Sequence, residues 1–320
     1  MLLNLWFNIG QAYAICNSIK LRREIRDLTN GELKQFKTIF RGLYDNSKFK
    51  SMVNLHAEKY NLIHNTPIFL PFHRVFINDF EQQFLSNTTF GLPFIDWTLD
   101  SNNVKNSIIF SDKYFGKNDA NGNIVNSEFK GIIKRNPDII NGYTNNIKNT
   151  IVNSFVLYSN MSFMIELGIH ALYHSKLHET MDSVYSPMDP LFFLHHSFID
   201  KIWSEWTDIK LPNKTLFDNV AYHTNINVNS YLPGYTFNTR FALNASHFCY
   251  RYGQNENNSK GKSLNNNLPE LALNKFLLMH NFTQHDIDNL QEFNQRASSS
   301  VYIKKSIFMS LFTLLLCVLK

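Results

Sequence analysis

The segment His170-Ala-Leu-Tyr-His174, with Ser-Pro-Met-Asp-Pro-Leu-Phe-Phe-Leu-His-His-Ser-Phe-Ile-Asp following at 186–200, decides how this chain is read. His170 and His174 are four positions apart, so on a helix both imidazoles share one face, one turn from each other, and can reach one metal. Pro187 and Pro190 bound a turn, after which a new apolar-periodic segment carries the pair His195–His196 near its start. A third histidine from that segment would complete a three-nitrogen site with coordination positions left open. Imidazole without thiolate or carboxylate suits copper, zinc, nickel or iron.

Working outward, the chain carries a second histidine triple, His56, His64 and His73. Between His64 and His73 the run NTPIFLPF combines two prolines with apolar residues into a stiff, dry wall. Each triple ends at the start of an aromatic-rich helical segment. Four helical segments with inward-facing histidines predict a mainly α fold, a four-helix-bundle core holding two metals.

Helical spacing supports that count. Leu28, Leu33, Phe36, Ile39, Phe40 and Leu43 recur at helical intervals, and Thr29 with Glu32 makes the capping pattern that starts the helix. A short helix is expected to end near His56, with His64 in a loop. Helix resumes after Pro71 with His73, Phe76, Ile77, Phe80 and Phe84, and again over about 151–174 and 195–208. Residues 101–150, rich in Asn, Gly, Ser and Lys, read as an irregular surface excursion. Beyond about 212, alternation predicts short strands on the helical core.

With 320 residues, 44% hydrophobic and 14% aromatic with 28 Phe, the chain can bury a large core. The net charge of +5 is spread without a basic run, which excludes a nucleic-acid footprint as the leading reading. No apolar run reaches the ~18 residues that span a bilayer. Residues 1–14 end in Ala12-Tyr13-Ala14, the pattern of a cleaved secretory signal, with a short N-terminal helix of the mature protein as the other reading. Asn87, Asn160, Asn213, Asn244, Asn257 and Asn281 begin glycosylation triplets. Cys16 and Cys249 could bridge in an oxidising compartment or remain buried thiols. The segment 256–300 reads as a C-terminal extension. In the apolar tail 301–320, Ser306–Leu319 after Ala297 and a serine run reads as a candidate lipid-anchor or membrane signal.

The histidine segments, with LPFIDW at 92–97 and FCYRY at 248–252, resemble the type-3 copper proteins: tyrosinases, catechol oxidases and molluscan haemocyanins. The resemblance covers about 21–252, so a dicopper domain is expected over 21–255, with LRREIRDLT resembling the family's first helix. It implies one copper on His56, His64 and His73 and a second on His170, His174 and His196, with O₂ as co-substrate. His195 would then be a packing neighbour. The family glutamate that holds a water near the phenol corresponds to Glu166, and Asp200 would orient an imbedded imidazole of the second site. Arg74 and Glu81 would be structural charge partners, Phe69, Phe72, Phe192 and Phe193 the apolar shell, and Tyr185 a residue of the entrance.

The implied activity is oxidation of phenols and catechols, free or as tyrosyl side chains, to o-quinones outside the cytoplasm. Departures from the family pattern bear on it. Ala171 stands where Asn is common, which removes a partner of the water at Glu166 and weakens phenol hydroxylation more than catechol oxidation. His178-Glu179 replace a Gly-Gly, Phe72 replaces Trp, and Leu62 replaces a cysteine that can crosslink to a copper histidine. A catechol oxidase, a haemocyanin-like O₂ carrier and a non-catalytic metal-binding relative are the alternatives.

Overall fold

Thr29 and Glu32 cap the first helix as their spacing predicts. In the computed structural model the Thr29 hydroxyl accepts the Glu32 backbone N–H (3.2 Å), and the Glu32 carboxylate accepts the Thr29 N–H (2.8 Å). This reciprocal cap opens α1, Asn30–Leu43. The structure describes residues 16, 18–100, 104–138, 148, 151–152, 158–208, 217, 222 and 224–253. The expected leader, C-terminal extension and apolar tail lie outside the described residues, as do Asn213, Asn257 and Asn281.

Residues 21–28 are not helical. Lys20–Arg22 form strand β1, and a 3₁₀ turn follows at Ile25–Asp27, started by the Glu24 carboxylate accepting the Arg26 N–H (2.6 Å). Helix α2, Ser47–Ile63, runs a full two turns past His56, because no Gly or Pro interrupts the stretch before Pro67. It stops at His64 as C-cap, followed by Asn65 at φ +53°. Helix α3, Phe69–Phe84, contains Pro71 in its first turn, where a missing N–H costs nothing. The Pro67 carbonyl so released accepts the Tyr158 hydroxyl (2.8 Å).

Helix α4, Tyr158–Met164, passes through a π turn, Ile165–His170, into α5, Ala171–Leu177. Helix α6, Pro190–Asp208, completes the bundle and packs along α3. The excursion is more than surface: Val104, Ile109, Phe115, Phe129 and Ile133 are buried in the common core. Where alternation predicts strands late in the chain, there is helix α7, Thr239–Leu243, and a 3₁₀ turn, each capped by an Asn side chain. Only β2, Tyr250–Tyr252, and a bridge between Tyr231 and Asn238 are extended pairings there among the described residues.

Phenylalanine dominates the interior. Phe80 and Phe193 stack at 3.9 Å between ring centroids, with Phe40, Phe49 and Phe76 around them. Such pairs add about 0.5–1.5 kcal/mol each beyond burial, which ties α1, α2, α3 and α6 together. Among the described residues, no helix is long and apolar enough to cross a membrane.

Strand β1 pairs in parallel with β2, and Cys16 is bonded to Cys249 beside that pairing. The bridge closes a loop with a sequence separation of 233 residues. Loops of that size gain most from a crosslink in the chain-entropy account, so Cys249→Ser is expected to cost about 2–5 kcal/mol. Urea unfolding of the variant beside the parent would show it. A midpoint unchanged to within error would mean that the β1–β2 pairing holds without the bond.

Candidate metal centre

Helices α2, α3 and α6 and the π turn with α5 each carry histidine toward one interior volume. The ligating nitrogens of His56, His64 and His73 lie within 4.8 Å of one another, and so do those of His170, His174 and His195. His196 sits between the triples, its ring stacked on His73 at 4.2 Å and its Nε2 3.4 Å from Nε2 of His174. Both residues of the His195–His196 pair therefore join the cluster, and proximity alone does not choose between them.

Five of these rings are oriented by the same device. Nδ1 of His56 donates to the Val184 carbonyl (2.9 Å), His64 to Tyr60 (3.1 Å) and His73 to Phe69 (2.8 Å). His170 donates to Glu166 (3.1 Å) and His174 to Met181 (2.6 Å). A carbonyl can only accept, so each Nδ1 carries the proton and each Nε2 keeps its lone pair. Nε2 of His56, His73, His170 and His195 is buried without a hydrogen-bond partner. Buried orphan nitrogens converging in two groups fit a pair of metal ions, and the all-imidazole donor set suits copper. Burial keeps the rings neutral, as ligation requires: His56 is lowered to about 4, and His64, helped by the nearby His56, to about 3.

Glu166 lies inside the π turn, only 3% exposed. Its carboxylate accepts the backbone N–H of Asn65 (2.5 Å), next to His64, and the Tyr222 hydroxyl (3.3 Å). Burial raises its pKa to about 8 against the pull of these two donors. The glutamate thus ties the α2–α3 connection to the helix that bears His170.

Asp200 does not orient a histidine. Its oxygens accept from Arg74 Nε (2.6 Å) and from the hydroxyls of Tyr250 (2.5 Å) and Tyr252 (2.6 Å), while Nδ1 of His196 has no partner. Burial would raise this carboxyl, but the guanidiniums of Arg74 and Arg22 hold it below the usual range. The spacing from His196 is right, but two buried arginines compete for the carboxylate and prevail. Arg74 and Glu81 are the charge partners expected: Glu81 takes Arg22 Nε at 2.8 Å.

Of the expected apolar shell, Phe69 meets His73 and His170 (4.8 and 4.7 Å between centroids), and Phe192 meets His196 (4.2 Å). Phe72 packs on His73 at 5.3 Å. Phe193 turns away into the phenylalanine core, one residue along α6 from Phe192. Tyr60, which stacks on His64 at 4.2 Å, and Trp97, which donates to His195, were not singled out by sequence. Tyr60 carried a usable signal, one turn before a ligand, whereas Trp97 is distant in the chain. Tyr185 is 52% exposed and follows the carbonyl that holds His56, while Leu62 is also exposed.

After α5 the chain turns through His178 (φ +53°, ψ −171°) and Glu179 (φ +49°). The His178 conformation is one that essentially only glycine adopts, with a strain of about 1–3 kcal/mol. His178→Gly is expected to raise stability by that amount, read as an upward shift of the thermal midpoint. A loss of stability would show that the His178 side chain compensates for its backbone.

Residues 46–149 and 134–209 match the family described as the common central domain of tyrosinase. A tyrosinase-like protein of Caenorhabditis elegans is 25% identical over 61% of this chain and 32% of its own length. Hemocyanin 2 of Megathura crenulata is 25% identical over 63% of this chain and 6% of its own length. The chain thus spans less than a third, and in the second case a small fraction, of those relatives. A polyphenol oxidase structure from Thermothelomyces thermophila superposes with a TM-score of 0.64 at 15% identity, over 74% of this chain and 89% of that one. A functional unit of octopus haemocyanin superposes with a TM-score of 0.53 at 19% identity, over 73% and 68%. At these identities the likeness to the solved structures is one of fold.

Proposed function

The chain belongs to the tyrosinase common-central-domain family, and from that premise we propose that it is a dicopper oxidase converting catechols, and more slowly phenols, to o-quinones with O₂. The observation that carries this reading is the convergence of imidazole Nε2 atoms in two groups, with five Nδ1–H groups anchored to backbone carbonyls. His56, His64 and His73 would hold one copper, and His170, His174 and His196 the other. The pair, when bound, supplies O₂ binding and two-electron oxidation.

The chain's own residues do the rest. Phe69 and Phe192 exclude water from the ligands. Glu166, buried one turn before His170 and held by the Asn65 N–H, is placed to take the proton of a phenol. Ala171 adds no polar group beside it, which favours substrates that arrive as diphenols. Tyr60, Leu62, Leu167 and Tyr185 are exposed large apolar side chains, and Tyr60 and Tyr185 adjoin groups that touch the ligand rings. A phenol or an exposed tyrosyl side chain could stack there. The Cys16–Cys249 bond supports an oxidising, extracellular-facing location, with attachment through the apolar tail as part of the same proposal.

Oxygen uptake by copper-loaded protein with a catechol, then with a monophenol, tests the reading. The catechol is expected to be the better substrate. Glu166→Gln should lower monophenol turnover by about 10²–10⁴-fold while sparing most catechol turnover. Two bound coppers with reversible O₂ binding and no turnover of either substrate would favour the carrier.

A further inference from the structure

We propose that Trp97 selects His196 over His195 as the metal ligand, and that His195 is a seventh, latent ligand kept out of coordination by its tautomer. The inference rests on the copper reading above. Trp97 Nε1 donates to Nδ1 of His195 at 3.2 Å, in full burial. An indole N–H can only donate, so Nδ1 of His195 is the acceptor and the proton of the neutral ring sits on Nε2. Its Nε2 is buried and unpartnered like those of His56, His73 and His170, and what sets His195 apart is the Trp97 N–H on Nδ1: one nitrogen has its lone pair committed and the other carries the hydrogen, so neither is free to bind a metal. The five anchored histidines have the opposite tautomer. His195 is nonetheless well placed, within 4.8 Å of the ligating atoms of His170 and His174. Position qualifies it and protonation excludes it.

His196 has no such constraint. Its Nδ1 has no partner, and its Nε2 faces that of His174 at 3.4 Å. The selecting group is firmly held. Trp97 stacks on Tyr173 at 4.5 Å and 17°. The turn it begins is closed by Asp96 accepting the Thr98 N–H (3.0 Å), and Ile95 N–H bonds the Leu194 carbonyl (3.2 Å), the residue before the pair. Helix α6 and the indole therefore move together.

The test reads copper per chain after dialysis against a weak chelator, in the full chain. Wild type and His195→Gln should keep about two coppers and His196→Gln about one, while adding Trp97→Phe to His196→Gln should restore the second by freeing His195. A His195→Gln protein with one copper, or a double variant that stays at one, would overturn the proposal. Because Trp97 is buried and its variant could misfold, nitrogen-15 NMR of the wild-type histidines, metal-free and with diamagnetic Cu(I), provides a second readout. His195 should be protonated at Nε2 while the five anchored rings are protonated at Nδ1; an Nδ1-protonated His195 would refute the selection. Wild type that binds no copper at all would instead defeat the copper reading, while the tautomer measurement on metal-free protein would still stand.

Discussion

A His73→Gln variant is expected to hold one copper fewer and to lose catechol oxidation by roughly 10³-fold or more. His73 is buried: its Nδ1 is fixed by the Phe69 carbonyl within its own helix, and its ring stacks on His196 of the other triple. Gln keeps a polar group of moderate size but lacks the lone pair in the plane of an aromatic ring. On the proposed dicopper reading both metals would be needed for the oxidation, so the loss should fall on turnover and not on substrate binding alone. The fold should survive, since Nε2 makes no hydrogen bond within the protein and the Nδ1 bond to the Phe69 carbonyl lies within one helix, where it is worth about 1 kcal/mol. Copper content and oxygen uptake decide it together. A variant retaining the full metal content and turnover within tenfold would remove His73 from the site.

Asp200→Ala is expected to destabilise the protein by about 3–5 kcal/mol, the cost of breaking a buried ion pair from one side. Asp200 is the acceptor shared by Arg74, Tyr250 and Tyr252, with Arg22 Nη1 at 3.5 Å. Its loss leaves Arg74 buried with neutral partners: two carbonyls, the Ser204 hydroxyl and the face of Trp203 at 3.6 Å. The half-exposed pair Lys176–Asp138 is the control, because Asp138→Ala should cost less than about 1 kcal/mol. Denaturant unfolding of both variants should separate them clearly. Equal midpoints would mean that the buried network only breaks even against its desolvation.

What was legible in the sequence was what repeats locally. The i, i+4 histidines and the Thr29–Glu32 cap act over a few residues, and each appears in the structure where its pattern predicts, whereas Pro71, expected before the helix, sits inside its first turn. Strand β1 is three residues long, too short for alternation to show, and it exists because β2 arrives from the far end of the chain. The π turn has no local signature in Ile165–His170, yet it positions Glu166 against Asn65. Asp200 illustrates the limit most directly. Spacing from His196 suggested a histidine partner, but the choice was made by Arg22, Arg74 and two tyrosines whose proximity only the fold creates. The bond from Trp97 to His195 is of the same kind, joining residues 98 positions apart.

The parallel pairing of β1 and β2, fastened by Cys16–Cys249 with Cα atoms 5.4 Å apart, brings the two ends of the described residues to one place. Over the described residues the polypeptide therefore leaves almost where it arrived, as a bead does on a loop of thread. Such an arrangement suits insertion into a larger protein, since both connections lie at one place. A circular permutant that joins these ends and opens an exposed turn elsewhere should consequently keep its fold.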